Sequence, residues 1–225
     1  MTQASSAKVS AGTDATLALV RGEPIQDWLA DLASRTPAPG GGAAAALSAA
    51  TAASLVSMVA VYTTGERWAD RSEQMEAVDA EATELRLRAL DLVAADAEAF
   101  KKVGAAYAMP KDGADEEVAR SAAIQAALVG AAEPPRQVGE TALRIVDLAA
   151  GLLDSGNPNV ISDVAVAASL ARGALESAIV NIEINAASIQ DEAARSELER
   201  AVDSLSAGIE KADATVASVR TKLTA

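Results

Sequence analysis

The chain has 225 residues, of which 50% are hydrophobic but only 2% aromatic, so its core must be built from alanine, leucine, valine and isoleucine. Its net charge of −13 argues against nucleic acid or an anionic membrane surface as a partner. The sequence contains no cysteine and no histidine, which excludes disulfides, thiol nucleophiles, Ser-His-Asp triads and the usual zinc sites. We therefore expect no metal, and proton transfer must use carboxylates, lysine, tyrosine or water.

The N-terminal segment differs in composition from the rest of the chain. Residues 1–20 are rich in serine, threonine and alanine, and they include one lysine but no continuous apolar run. This is not the pattern of a secretory signal. We expect a flexible extension over residues 1–20, a single domain over residues 21–225, and a cytoplasmic protein.

A short amphipathic helix is predicted just before a glycine-rich turn. Pro24 suits the first turn of a helix, and apolar residues recur every three or four positions as far as Leu32. The following run, Thr36 to Gly42, contains two prolines and three glycines. Proline cannot continue a helix, while glycine permits close approach of another group to the backbone.

An uncharged, alanine-rich segment follows the turn, from Ala43 to Thr64. A helix without charge on any side is buried either in a bundle or in a membrane. Serine and threonine dilute this segment, and neither end carries a basic cluster or an aromatic belt. We therefore predict a buried central helix and no membrane partner.

A long amphipathic helix is predicted over residues 67–107. Its apolar stripe runs through Leu92 and is interrupted by Asp96 before it continues through Phe100 and Val103. Asp96 could pair with a lysine or arginine of another helix. Alternatively, partial burial could raise its pKa and make it a proton donor or acceptor.

The next helix is predicted over residues 115–133, after a loop at 109–113. Pro134 and Pro135 must end or kink it, because proline lacks an N–H and clashes with the preceding turn. Helical periodicity then resumes and continues to Leu152.

Residues 154–159 predict the end of the preceding helix. Two further helices are predicted at about 163–188 and 191–222. Asp163 and Asn181 point the same way on the first of these, but five turns separate them by roughly 27 Å. They cannot share one small site within a single subunit. No strand pattern occurs, so the predicted fold is an all-α, multi-helix bundle.

Several residues allow a structural and a functional interpretation. The glycine turn could serve close helix packing, or its free N–H groups could receive a ligand oxygen. Ser162 and Asp163 could be a helix N-cap, and Asn181 and Asn185 could bridge helices.

The motifs together resemble the cyclodeaminase/cyclohydrolase family. This family comprises the C-terminal domain of formiminotransferase-cyclodeaminase and the bacterial methenyltetrahydrofolate cyclohydrolases. The similarity spans about Ile25 to Asp191, with the motifs in the family's order. They are residues 32–42, Asp96-Ala97-Glu98-Ala99-Phe100, Ala106-Tyr107 with Pro110-Lys111, Ala132-Glu133-Pro134-Pro135, Gly156-Asn157-Pro158-Asn159 with Ser162-Asp163, and Asn181-Ile182-Glu183-Ile184-Asn185.

The resemblance implies a homodimer that binds a tetrahydrofolate derivative and needs no other cofactor. It implies hydrolysis of 5,10-methenyltetrahydrofolate to 10-formyltetrahydrofolate by carboxylate-assisted addition of water. The alternatives are a formiminotetrahydrofolate cyclodeaminase that releases ammonia and a non-catalytic folate-binding dimer.

The same resemblance assigns the site. Asp96 and Asp163 would be the catalytic carboxylates, and the substrate would bind to Pro39, Gly40, Gly41, Gly42, Asn157, Ser162, Asn181 and Asn185. If Asp163 and Asn181 serve one site, they must come from different subunits. The chain departs from the family at Ala43, where serine is frequent, and at Glu183, where a basic residue is frequent.

Overall fold

The computed structural model describes residues 22–224, which form an all-α fold. Its helices are α1 (Ile25–Leu32), α2 (Gly41–Val61), α3 (Ser72–Tyr107), α4 (Ala114–Ala131), α5 (Glu133–Gly151), α6 (Ile161–Ala186) and α7 (Glu192–Thr224). Short 3₁₀ turns span Glu66–Arg71 and Pro158–Val160. No strand occurs within residues 22–224, which confirms the predicted all-α class. The extension predicted over residues 1–20 lies outside the described residues.

Helix α2 contacts α3, α5 and α6, and eleven of its 21 residues are buried, most of them alanine. Alanine side chains lose no rotamer entropy on burial and let helices approach closely. Helix α2 runs antiparallel to α6, because Gly41 lies beside Asn181 at one end and Tyr62 bonds Asn157 at the other. By length and composition alone, the segments Gly41–Val61 and Pro158–Ala186 could each cross a membrane. In this fold 56% and 39% of their respective apolar windows are buried.

The proline pair at the α4–α5 junction acts as predicted. Helix α4 ends at Ala131, and Pro134 and Pro135 occupy the first turn of α5. Proline is tolerated there because the first N–H groups of a helix have no partner within the helix.

Two helix starts differ from the sequence predictions. Helix α3 begins at Ser72 rather than near Arg67, because Trp68 has non-helical angles and the preceding residues form a 3₁₀ turn. Helix α6 begins at Ile161, and neither Ser162 nor Asp163 is its N-cap. Asn157 caps the preceding 3₁₀ turn instead, accepting a hydrogen bond from the Asn159 N–H at 3.0 Å.

A buried latch ties the loop before α6 to the end of α2. The Thr63 hydroxyl donates to the Val59 carbonyl at 2.7 Å and accepts from the Asn157 N–H at 2.9 Å. The Asn157 side-chain amide donates to the Tyr62 carbonyl at 2.8 Å. Thr63 is completely buried, so water cannot replace these bonds.

Replacing Thr63 with valine should therefore lower the free energy of unfolding by about 1–3 kcal/mol, because the Asn157 N–H loses its partner inside the protein. Thr64→Val is the matched control, since the Thr64 side chain is exposed and donates to the Val61 carbonyl. Urea unfolding followed by circular dichroism measures both variants. Equal stabilities of Thr63→Val and Thr64→Val would contradict a stabilising role for the latch.

Candidate functional site

A cavity of about 270 Å³ opens at the N-terminus of α2. Four segments line it: the glycine turn, the middle of α3, the α4–α5 junction and the last turns of α6. Its lining residues are Pro37, Ala38, Gly40, Gly41, Gly42, Asp96, Ala99, Phe100, Val103, Ala131, Pro135, Asn181, Ile184 and Asn185. The fold thus brings together six of the predicted site residues: the carboxylate Asp96 together with Gly40, Gly41, Gly42, Asn181 and Asn185.

Asp96 is held at the start of α2 by a hydrogen bond in which the Ala43 N–H donates to its Oδ2 at 3.1 Å. Burial raises the pKa of the Asp96 carboxyl above its ordinary value, and the bond from Ala43 only partly opposes this. Within residues 22–224 no lysine or arginine forms an ion pair with it. The alternative of a structural salt bridge is therefore not realised in the described part of the chain. A half-buried carboxylate that faces a cavity without a counter-cation is suited to proton transfer or to a cationic ligand.

Gly42 leaves the space that the carboxylate occupies. A Cβ atom at residue 42 would lie 2.1 Å from Oδ1 of Asp96, far inside van der Waals contact. Gly42 is therefore required for Asp96 to reach the Ala43 N–H. The glycine turn therefore allows a protein side chain to approach the backbone closely, as the absence of a Cβ permits.

The start of α2 also presents free hydrogen-bond donors. The first backbone bond of the helix runs from the Ala44 N–H to the Gly40 carbonyl at 3.0 Å, and the Ala43 N–H is taken by Asp96. The N–H groups of Gly41 and Gly42 have no partner among residues 22–224. Donors at a helix N-terminus suit an oxygen that carries negative charge.

Asn181 and Asn185 form the opposite wall of the cavity. The Asn181 amide donates to the Ser177 carbonyl, and the Asn185 amide donates to the Asn181 carbonyl, each at 2.7 Å. Asn185 also lies 3.5 Å from the Ala131 carbonyl at the end of α4. Their side-chain oxygens accept no hydrogen bond from the described residues, so they remain available as acceptors beside the cavity.

Three predicted residues lie at the far end of α6, outside this cavity. Asn157 is committed to the latch with Thr63, Ser162 is exposed, and Asp163 is half-buried in the first helical turn. Helix α6 is continuous between Asp163 and Asn181, so the axial separation of roughly 27 Å holds within one subunit. Pro39 follows a cis peptide bond in the glycine turn but is not among the cavity-lining residues. The binding roles of these residues stay predictions.

The apolar wall of the cavity was not predicted from the sequence. Phe100 and Ile184 line the cavity and are 52% and 68% exposed, and Phe100 belongs to the apolar stripe predicted for α3. The signal was present, because Phe100 is one turn after Asp96 and must face the same side of the helix. A larger cavity of about 430 Å³ lies next to the site between α3, α4 and α5, and Ala99 lines both cavities.

The chain matches the family model described as formiminotransferase-cyclodeaminase over residues 24–204. It is 40% identical over 172 residues to the methenyltetrahydrofolate cyclohydrolase of Methylorubrum extorquens, covering 76% of this chain and 83% of that relative. It is 32% identical to the formimidoyltransferase-cyclodeaminase of Sus scrofa over 81% of this chain, but it spans only 34% of that longer relative.

The fold is also similar to that of a solved structure, the formiminotetrahydrofolate cyclodeaminase of Thermotoga maritima. The TM-score is 0.81 at 30% identity, and the match covers 92% of this chain and 100% of that chain. The family match spans the α2 and α3 segments that hold Ala43 and Asp96, and the comparisons agree with the resemblance seen in the motifs. The chain therefore belongs to the formiminotransferase-cyclodeaminase family.

Proposed function

We propose that this protein hydrolyses 5,10-methenyltetrahydrofolate to 10-formyltetrahydrofolate. The observation that carries the proposal is the Asp96 carboxylate, held at the cavity by Ala43 without a basic partner in the described chain. The methenyl bridge of the substrate is cationic, and such a carboxylate can stabilise the cation and accept a proton from water. The cyclohydrolase of Methylorubrum extorquens, at 40% identity, supports this choice of reaction.

In the proposed reaction, water adds to the bridging carbon between N5 and N10. Asp96 accepts a proton from this water as the new C–O bond forms, which gives a neutral tetrahedral intermediate. The C–N5 bond then breaks, N5 takes up one proton, and the carbon remains on N10 as a formyl group. Of the two protons of water, one ends on N5 and one is released.

The other cavity residues would orient the folate. The N–H groups of Gly41 and Gly42 can bind the oxygen that becomes the formyl carbonyl, and the free oxygens of Asn181 and Asn185 can accept from N–H groups of the pterin ring. At position 43 this chain has alanine where serine is frequent in the family. This difference leaves the hydrogen bond to Asp96 intact, since that bond uses the backbone N–H. Glu183 is exposed and does not line the cavity.

The cyclodeaminase reaction is the second candidate, because the similar structure from Thermotoga maritima carries that activity in its name and matches over its whole length. There N10 attacks the formimino carbon on N5, and ammonia leaves after proton transfer. The same carboxylate would serve both reactions, since each passes through a tetrahedral intermediate on the same carbon.

A paired assay separates the candidates. Incubation with 5,10-methenyltetrahydrofolate should accelerate the loss of its absorbance above the uncatalysed rate, and this result supports the cyclohydrolase. Ammonia release from 5-formiminotetrahydrofolate without that acceleration would support the cyclodeaminase instead. Tight folate binding with neither activity would overturn both and leave a binding protein.

The pH dependence of the rate should follow the ionisation of the Asp96 carboxyl. Because burial raises its pKa, the ionised carboxylate that accepts the proton is lost on acidification at a pH above the ordinary aspartate value of about 3.9. We expect the initial rate, corrected for uncatalysed hydrolysis, to fall with decreasing pH through a midpoint above that value. A rate that stays constant through this range would exclude Asp96 as the base.

We further propose a homodimeric, cytoplasmic protein in which α2 is the central helix, and which binds neither nucleic acid nor membrane. Burial of α2 and its contacts with three helices support its central position. We propose no cofactor beyond the folate substrate.

A further inference from the structure

The cavity of about 430 Å³ between α3, α4 and α5 adjoins the cavity that holds Asp96. Ala99 lines both. At the α4–α5 junction, Gly130 and Pro134 line the larger cavity, while the residues after them, Ala131 and Pro135, line the smaller one. The boundary between the two cavities is therefore made of small side chains and proline rings. No atom lies within 4 Å of a Cβ placed on Gly130, so there is open space on its side of the boundary.

The cavity at Asp96 is small for a complete tetrahydrofolate. Its volume of about 270 Å³ lies below the range of about 300–1,000 Å³ that is usual for small-molecule sites, whereas the two cavities together lie within it. A tetrahydrofolate consists of a pterin, an aminobenzoyl ring and a glutamate in a row, with the reacting carbon between pterin and ring. If the pterin lies beside Asp96, the rest of the molecule must either project into solvent or enter the larger cavity.

Most of the lining of the larger cavity is apolar, which suits an aromatic ring. The apolar lining residues are Leu92, Ala95, Ala99, Ala126, Ala127 and Pro134. Four of these six are alanine, so their short side chains leave room between α3 and α4 for a flat group. The aminobenzoyl ring would be removed from water there.

Lys102 carries the uncompensated charge of this cavity. Two carboxylates line it as well, but Glu98 pairs with Lys101 and Glu133 pairs with Arg136, each at 2.6 Å. Lys102 is exposed at the edge of the cavity and forms no ion pair within the part of the chain that the structure describes. Although the chain as a whole carries −13, this edge of the cavity therefore offers an ammonium group to an anion.

The spacing on α3 fits the length of the substrate. Lys102 follows Asp96 by six residues, which is about 9 Å along the helix axis. The bonds of the aminobenzoyl group and its amide place the glutamate α-carbon roughly 8 Å from N10. With the reacting carbon at Asp96, the glutamate carboxylates thus come within reach of the flexible Lys102 side chain.

We propose that the aminobenzoyl-glutamate half of the substrate occupies the 430 Å³ cavity and that Lys102 binds a carboxylate of the glutamate, an assignment that rests on the proposed function because it places the pterin beside Asp96. Lys102 then determines the preference for folates that carry glutamate. It does not touch the reacting carbon.

Calorimetric titration with two unreactive probes tests the role of Lys102. The probes are 5-formyltetrahydrofolate and 5-formyltetrahydropteroyl methylamide, in which a methylamide replaces the glutamate and no carboxylate remains. The wild type should bind the first about 3- to 10-fold more tightly, the range expected for one partly exposed, charge-assisted contact. Lys102→Gln should lose this preference by binding the first probe more weakly and the second equally well.

Lys111→Gln is the matched control for this titration. Lys111 is also exposed and forms no ion pair among the described residues, but it lines neither cavity. It should bind both probes as the wild type does. A preference retained in Lys102→Gln would overturn the assignment. An equal loss in Lys111→Gln would overturn it too, because any basic side chain would then attract the anion.

Filling the larger cavity tests the position of the ring. Ala127 lines this cavity only, so Ala127→Leu should weaken the binding of both probes, since both contain the aminobenzoyl ring. Ala122→Leu on the same helix is the control, because Ala122 is exposed and lines neither cavity. Circular dichroism checks that both variants fold. Wild-type affinity of a folded Ala127→Leu for both probes would show that the ring projects into solvent, and the assignment would fail.

Kinetics separate this assignment from the proposed function. With 5,10-methenyltetrahydrofolate, Lys102→Gln should raise KM and leave kcat unchanged, because the contact is the same in the ground state and the transition state. A fall in kcat with KM unchanged would contradict this role. If the wild type hydrolyses the substrate but binds both probes equally, the assignment fails and the proposed function stands. If the probes bind as expected but neither folate reacts, the proposed function fails and the cavity remains a folate-binding site. If neither probe binds, both fail.

Discussion

Asp96→Asn is expected to lower kcat for methenyltetrahydrofolate hydrolysis by about 100- to 10,000-fold, the usual contribution of a general acid or base. Asparagine retains an oxygen that can accept from the Ala43 N–H, but it can neither take a proton from water nor balance the charge of the methenyl cation. Initial rates at pH 7, followed by loss of substrate absorbance, measure the effect.

Glu84→Gln is the control for this experiment. Glu84 is an exposed carboxylate on the same helix, outside the cavity, so its removal changes the charge of α3 equally and should leave kcat unchanged. Comparable losses in both variants would show a general effect of charge. Full activity of Asp96→Asn would exclude Asp96 from the chemistry.

The stability of Asp96→Asn should change in the opposite direction to its activity. Because the pKa of Asp96 is raised in the fold, the native state binds a proton more tightly than the unfolded chain does. Ionisation of Asp96 therefore costs native stability above about pH 3.9, and this cost is absent when the carboxyl is protonated. Asparagine removes it, so the variant should melt at a higher temperature than the wild type at pH 7, and the difference should close below about pH 4.

Gly42→Ala is expected to produce the second large loss, about 100-fold in kcat, although the substitution adds a single methyl group. The new Cβ would lie 2.1 Å from Oδ1 of Asp96 and must displace the carboxylate from the Ala43 N–H. Overpacking of this kind also costs stability, on the order of 1–3 kcal/mol. Kinetics and thermal melts of the same preparation measure both effects.

The matched control is Gly104→Ala on α3, where no atom lies within 4 Å of an added Cβ. Alanine is the better helix former there, so this variant should be as active as the wild type and slightly more stable. If Gly42→Ala were as active as Gly104→Ala, activity would not require the position of the Asp96 carboxylate that Gly42 makes possible.

Much of the fold could be predicted from the sequence because the signals are local. Pro134 and Pro135 separate two helices wherever those helices pack, and the period of apolar residues defines α3, α5 and α6. The errors lie at helix starts such as Ser72, where a 3₁₀ turn replaced one turn of helix. Periodicity decides the interior of a helix, whereas the residues around its first turn decide where it begins.

The glycine turn and Asp96 were identifiable from the sequence as unusual features, namely three glycines before a helix and one carboxylate in an apolar stripe. Only the tertiary structure placed them against each other, with Ala43 donating to Asp96 and Gly42 making room for it. It also turned Phe100 towards the cavity, whereas the separation of Asp163 from Asn181 along α6 already followed from the sequence. The physical reason is that helical periodicity determines which residues share a face, whereas the packing of distant helices determines what that face meets.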